Sequence, residues 1–167
     1  MTTLVSKPTV IEHGVLKFLI MDAPKETNLH LYLKECKKQN VVHIARISEP
    51  SYSKEEVEKA GISLNEFFFH DGASPPPEII AKWCELVSST FDKVKGSDKP
   101  CIAVHCVAGL GRAPVLVAIA LIEYGLDPIS AVTLIREKRR GAINAVQLAY
   151  LESYKPSRSN GKKCTIM

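Results

Sequence analysis

The chain has no apolar run near the roughly 18–20 residues that a membrane-spanning helix needs. It also has no C-x-x-C pair. Its first ten residues, Met1 to Val10, lack the apolar stretch of a secretory leader, so synthesis and residence in the cytosol are expected. The five cysteines (Cys36, Cys84, Cys101, Cys106 and Cys164) are odd in number and widely spaced, which argues against a disulfide framework and against a structural zinc site. Cys36, Cys84 and Cys101 read as small buried hydrophobes. No internal repeat is present. The body also lacks an excess of charge. Four of the 22 basic residues (Lys155, Arg158, Lys162, Lys163) lie after Tyr154, leaving 18 basic against 18 acidic residues before it. A neutral body gives no reason to expect nucleic-acid binding.

What remains is one ordinary domain, residues 1–154, followed by a basic, flexible tail, residues 155–167. Val15 to Ile20 reads as a buried strand, and Thr27 or Asn28 caps a helix to about Gln39. Val41 to Ala45 reads as a second strand, Ser53 to Gly61 as a short polar helix, and Ile62 to Phe69 as a third strand. Three prolines, Pro75 to Pro77, end that segment in a loop, and apolar spacing predicts a helix from Ile79 to Lys95. Cys101 to Val104 reads as the central strand. Three helices follow between Ala113 and Tyr154, broken near Gly125 to Pro128 and at Gly141. Strands alternating with helices imply an α/β fold, with a central, mainly parallel twisted sheet flanked by helices.

The chemistry concentrates in His105-Cys-Val-Ala-Gly-Leu-Gly-Arg112, between the central strand and the next helix. A tight strand-to-helix loop points successive backbone N–H groups inward as an anion nest, and the helix adds its positive end. Gly109 and Gly111 supply the freedom for that curvature, and Pro114 suits an early helical position. Amides, dipole and arginine all favour the thiolate of Cys106, the reactive form. The same loop can hold a phosphate, and the planar fork of Arg112 can bind two of its oxygens. Cysteine, five residues and arginine is by itself an unspecific spacing; the glycines, strand and helix around it make it specific. A leaving alkoxide needs a proton, and Asp71, in a Gly- and Pro-rich loop, is the candidate donor. Without the cysteine loop Asp71 reads as a turn residue. No metal or cofactor is called for.

Cys106 to Pro114 resembles the signature loop of the phosphatases of regenerating liver, the prenylated type IVA protein tyrosine phosphatases within the dual-specificity group. The similarity runs from about Leu16 to the last residue and includes Asp71-Gly-Ala, Ile102 to Cys106, Ala120 to Glu123, Ile135-Arg and Lys138 to Ala142. The resemblance implies the Cys-based phosphatase fold, Cys106 as nucleophile forming a phosphocysteine, Arg112 as phosphate clamp and Asp71 as general acid, then base, with the backbone of Val107, Ala108, Gly109, Leu110 and Gly111 lining the phosphate. It implies phosphotyrosine proteins or phosphoinositides as substrates. Ala113 stands where many superfamily members carry Ser or Thr, which implies slow turnover. His70 replaces a usual second Asp and reads as a solvated loop histidine. Ser48 replaces a cysteine that pairs with the catalytic one in known members, so the redox switch is in doubt and Cys106 is expected to over-oxidise more readily.

Cys164-Thr-Ile-Met167 matches a C-a-a-X box, for which Met suggests farnesylation. The tail's basic residues supply the second signal for an anionic leaflet, each worth about 1 kcal/mol. The expected location is the cytoplasmic face of plasma or endosomal membranes. A second basic cluster, Arg136, Lys138, Arg139 and Arg140, suits either an acidic or phosphoinositide surface or the C-terminal end of its helix. Two other functions compete with the enzyme. One is a membrane-anchored module that grips the cystathionine-β-synthase-domain pair of a magnesium transporter, as the resemblance implies together with a homotrimer. The other, a rhodanese-like sulfur transferase, fits neither the aspartate loop nor the C-a-a-X box.

Overall fold

The computed structural model describes Leu4, residues 6–94, Gly96 and residues 98–158. Cys164, Lys162 and Lys163 therefore lie outside the described residues.

Five strands form one sheet: β1 (Thr9–His13), β2 (Leu16–Met21), β3 (Val41–Arg46), β4 (Ser63–Glu66) and β5 (Cys101–His105), in the order β1-β2-β5-β3-β4. All neighbours pair in parallel except β1 with β2. The helices are α1 (Leu29–Lys38), α2 (Lys54–Lys59), α3 (Pro77–Phe91), α4 (Arg112–Glu123), α5 (Pro128–Lys138) and α6 (Ala145–Ser153). The expected mainly parallel sheet flanked by helices is present.

Side-chain alternation divides the core in two. Phe18 and Ile20 of β2, with Ile102 and Val104 of β5, join Trp83, Phe91 and the apolar residues of α4 from Ala113 to Ile122 other than Pro114. Leu19 and Met21, with Cys101 and Ala103, join Leu29, Tyr32, Cys36 and Val57 from α1 and α2. A sheet covered on both faces needs unbroken apolar strands, which is why β5 is buried at all five positions. α4 is buried along its entire length, and this fixes the start of the helix beside the sheet's C-terminal edge.

Four details differ from the sequence reading. β1 was not anticipated; it pairs with β2 across a two-residue turn at Gly14, whose φ of +58° suits glycine. β4 ends at Glu66, because only Phe67 N–H continues the pairing, donating to Arg46 C=O at 2.9 Å. α3 starts at Pro77, with proline in its favoured first-turn place, and ends at Phe91. Asn28 precedes α1 without capping it, because its side chain accepts from Lys25 N–H instead (2.7 Å).

The start of the tail is held against the body. Glu123, buried at the end of α4, accepts from Tyr154 O–H (2.5 Å), Ser157 N–H (3.2 Å) and Arg158 N–H (2.7 Å). Arg158 forms two bonds to Asp92 (2.9 and 3.0 Å) and lies 3.9 Å from the Tyr124 ring centroid. Residues 155–158, assigned to the tail by composition, are thus clasped at the end of α4 far from its N-terminus. Cys36 and Cys101 are buried as expected, whereas Cys84 is only half-buried; burial pushes the Cys36 and Cys101 thiols up to about 12 and that of Cys84 up to about 11.

Candidate active site

β5 lies between β2 and β3, and the loop leaving its C-terminal end occupies the place where parallel α/β sheets bind ligands. Cys106 is the first residue after β5 and is buried at 3% exposure. Its Sγ accepts from Ala113 N–H, in the first turn of α4, at 3.5 Å. The positive end of a helix therefore meets the sulfur directly.

Every carbonyl from Cys106 to Gly111 is bonded from behind. Cys106 C=O meets His105 Nδ1 at 3.1 Å, and Val107 C=O accepts from Ala23 N–H at 2.9 Å. Ala108 C=O accepts from Arg139 Nη2 (3.2 Å) and Gly109 C=O from Arg139 Nε (2.7 Å). Leu110 C=O accepts from Ile143 N–H (2.8 Å) and Gly111 C=O from Val115 N–H (3.0 Å). No peptide bond is cis among the described residues, so each N–H points opposite to the carbonyl it shares a plane with. Pinning six carbonyls outward turns the amides of residues 107–112 the other way, which makes the anion nest.

The two glycines play different parts. Gly109 has φ of +73°, and a Cβ there would sit 2.6 Å from both Arg139 Nη2 and Met21 O. Gly111 has φ of −122° and ψ of −86°. Its constraint is space, because a Cβ would lie 3.0 Å from Gln147 Nε2.

His105 is fully buried and stays neutral at physiological pH, burial pulling it down to about 4. The carbonyl of Cys106 only accepts, so Nδ1 carries the proton and Nε2 accepts from Tyr52 O–H at 2.6 Å. Arg46 lies over the Tyr52 ring (4.8 Å), donates to Tyr52 C=O (2.9 Å) and pairs with Glu66. This buried chain fixes one edge of the loop from the β3 side.

Arg112 is buried at 7% exposure, and its Nη1 donates to Phe69 C=O at 2.9 Å. That bond leaves the Nε–Nη2 edge of the guanidinium for two phosphate oxygens. It also brings in the loop carrying Asp71, whose Oδ1 stands 3.9 Å from Arg112 Nε. Asp71, Cys106, Val107, Ala108, Leu110, Gly111 and Arg112 share one cleft of ≈ 380 Å³. The structure therefore brings the site residues proposed within residues 71–112 to a single place, except that Gly109 does not line this cleft. A second cleft of ≈ 500 Å³ adjoins it through Asp71, Val107 and Arg112; Ser48 and His70 line that one.

Sequence reasoning missed Asn144, Gln147 and the role of Arg139. Asn144-Ala-Val-Gln147 forms a capping box that starts α6 and places both side chains at the cleft; the spacing was readable. The basic cluster, read either as a surface or as a complement to the C-terminal end of its helix, divides. Arg139 is buried behind the loop, and Arg136 caps the turn after α5 through Ala142 C=O and Ile143 C=O (3.0 and 2.5 Å). Lys138 and Arg140 stay exposed.

No family model matches the chain. Among curated proteins it is 50% identical over 149 residues to "PRL-1 phosphatase" of Drosophila melanogaster, covering 89% of this chain and 83% of that one. It is 45% identical over 166 residues to "Probable protein tyrosine phosphatase type IVA A" of Dictyostelium discoideum, covering 99% and 97%. It is also 45% identical over 149 residues to "Protein tyrosine phosphatase type IVA 3" of Homo sapiens, covering 89% and 84%. Among solved structures, a putative protein tyrosine phosphatase from Leishmania major superposes with a TM-score of 0.78 at 39% identity, covering 90% of this chain and 99% of that one. The PTPMT1 structure (TM-score 0.68, 20% identity) shares the fold. A buried cysteine at a helix N-terminus, in a loop with all its carbonyls pinned outward, thus stands in a chain half identical to known phosphatases. The chain belongs to the type IVA protein tyrosine phosphatases and is a Cys-dependent tyrosine phosphatase.

Proposed function

We propose that this phosphatase works through a phosphocysteine at Cys106, that the intermediate breaks down slowly, and that prenylation of Cys164 anchors the chain. The outward pinning of the carbonyls from Cys106 to Gly111 carries this reading. With the amides of residues 107–112 and the Arg112 fork around it, the phosphoryl group of a phosphotyrosine or phosphoinositide sits against Sγ. The thiolate attacks phosphorus, the ester oxygen leaves, and Asp71 supplies its proton from the mouth of the cleft. Asp71 then takes a proton from the water that attacks the phosphocysteine, releasing phosphate and the thiolate.

The slow second half follows from residue 113. Its N–H meets Sγ at 3.5 Å, so a hydroxyl on the same residue would lie close to the sulfur and stabilise it as it departs. Ala113 offers none. Ala113→Ser is expected to raise the steady-state rate several-fold on an aryl phosphate and to shrink the initial burst of product. An unchanged rate and burst would place the slow step elsewhere.

The anchor rests on Cys164-Thr-Ile-Met167 and on the basic residues before it. In cells, Cys164→Ser is expected to move the protein from membranes to the soluble fraction; retention on membranes would contradict the anchor.

A second use of the same cleft is favoured by its rim, where Val107 and Leu110 are 64% and 39% exposed. Apolar side chains beside a phosphate nest suit a protein surface that offers an acidic loop, such as the cystathionine-β-synthase-domain pair of a magnesium transporter. Self-association into a trimer is a further use of exposed surface that the resemblance suggests.

A further inference from the structure

Two of the six carbonyls behind the phosphate loop are held by one side chain, and it comes from 30 residues further along the chain. Arg139 directly follows α5 and is buried at 7% exposure. Its Nε and Nη2 reach Gly109 C=O and Ala108 C=O at 2.7 and 3.2 Å. On the opposite side its Nη1 donates to Thr9 Oγ1 (2.8 Å) and Lys7 C=O (3.3 Å). The guanidinium is thus clamped between the phosphate loop and the N-terminal strand. Among the described residues no carboxylate lies within ion-pair distance of it.

A desolvated guanidinium bonded directly only to neutral oxygens, with the Asp22 carboxylate acting on it from beyond ion-pair distance, is costly to bury, which argues for a task beyond surface solubility. The task is geometric. The carbonyls of Ala108 and Gly109 share peptide planes with the N–H groups of Gly109 and Leu110. Gly109, at φ of +73°, stands in the region that glycine visits readily, so its neighbouring peptide planes need outside support to keep one orientation. The planar fork spans both carbonyls at once, which a lysine ammonium does not.

We infer that Arg139 is a positioning residue of the phosphate loop, holding the Gly109 and Leu110 amides toward the phosphate, and that Thr9 holds Arg139. The N-terminal strand is thereby part of the active site's support, although it touches no substrate. This rests on reading residues 106–112 as the phosphate nest.

The test uses Arg139→Lys, Arg139→Met and Thr9→Val in the full chain, with inorganic phosphate and orthovanadate as probes. Binding is measured by calorimetry, which needs no turnover, and kcat and KM on an aryl phosphate alongside. Arg139→Lys keeps the charge and is expected to weaken phosphate and vanadate binding about tenfold, with kcat/KM down by about 10²-fold, since small misplacements of a catalytic frame have effects of that size. Thr9→Val leaves the arginine in place and is expected to shift both in the same direction by a smaller factor. If Arg139→Met does not fold, these two variants decide. A residue that merely fills space would change thermal stability and leave the affinity of the folded protein alone. Wild-type phosphate affinity in folded Arg139→Lys protein would therefore overturn the inference. Wild-type protein that binds neither probe would overturn the nest reading instead.

Discussion

Cys106→Ser is expected to abolish phosphate-ester hydrolysis, lowering kcat on the order of 10⁵–10⁶-fold, the scale of losing a catalytic nucleophile. The change replaces one atom in a site at 3% exposure, so packing against α4 is nearly preserved. Chemistry is not. An alcohol is a far weaker acid and nucleophile than a thiol, and no base lies beside it: His105 directs Nδ1 at Cys106 C=O and Nε2 at Tyr52. The nest is untouched, because its carbonyls are pinned by Ala23, Arg139, Ile143 and Val115. The variant is thus expected to bind vanadate or phosphate while failing to turn over. Steady-state rates and calorimetry on one preparation check both halves. Residual activity above about one part in a hundred would point to a different nucleophile.

Arg112→Lys is expected to lower kcat/KM about 10³-fold although the charge is retained, a loss typical of removing an arginine that stabilises a transferring phosphoryl group. Two effects combine. An ammonium replaces the two-pronged grip on phosphate oxygens with a point charge. The bond from Nη1 to Phe69 C=O is also lost, and that bond draws the Asp71 loop to the cleft. The loss should therefore be larger for esters with poor leaving groups, which depend on the acid, than for activated aryl phosphates. Rates on a series of leaving groups check this; a loss below tenfold, equal across the series, would contradict the assigned role.

How legible these features were in the sequence depended on distance along the chain. The loop from Cys106 to Arg112 could be read directly, because nucleophile, glycines, clamp and helix start lie within a few residues and each answers to local physics. The parallel sheet was readable from apolar runs between helical periods. Asp71 was placed by the need for an acid, not by its own neighbourhood. What brings it in is Arg112 reaching Phe69, 43 residues away, a contact no periodicity encodes. Arg139 was not singled out for the same reason. Its cluster suits either an acidic surface or the C-terminal end of a helix, and burial of this one side chain is decided by the Ala108 and Gly109 carbonyls and by Thr9. Glu123 ends a helix that is apolar from Ala113 to Ile122, and its role in clasping Tyr154, Ser157 and Arg158 appears only when the chain returns to it. β1 carried a readable signal, Gly14 between two β-rich runs, and that signal was overlooked.

The central claim is that the phosphoryl group passes through Cys106. Wild-type protein quenched in acid within the first turnovers on an aryl phosphate, then weighed intact, tests it most directly. The mass is predicted to rise by one phosphoryl group, to fall back as substrate runs out, and to stay unchanged in Cys106→Ser. Product release with no such adduct, or an adduct that persists in Cys106→Ser, would contradict the account.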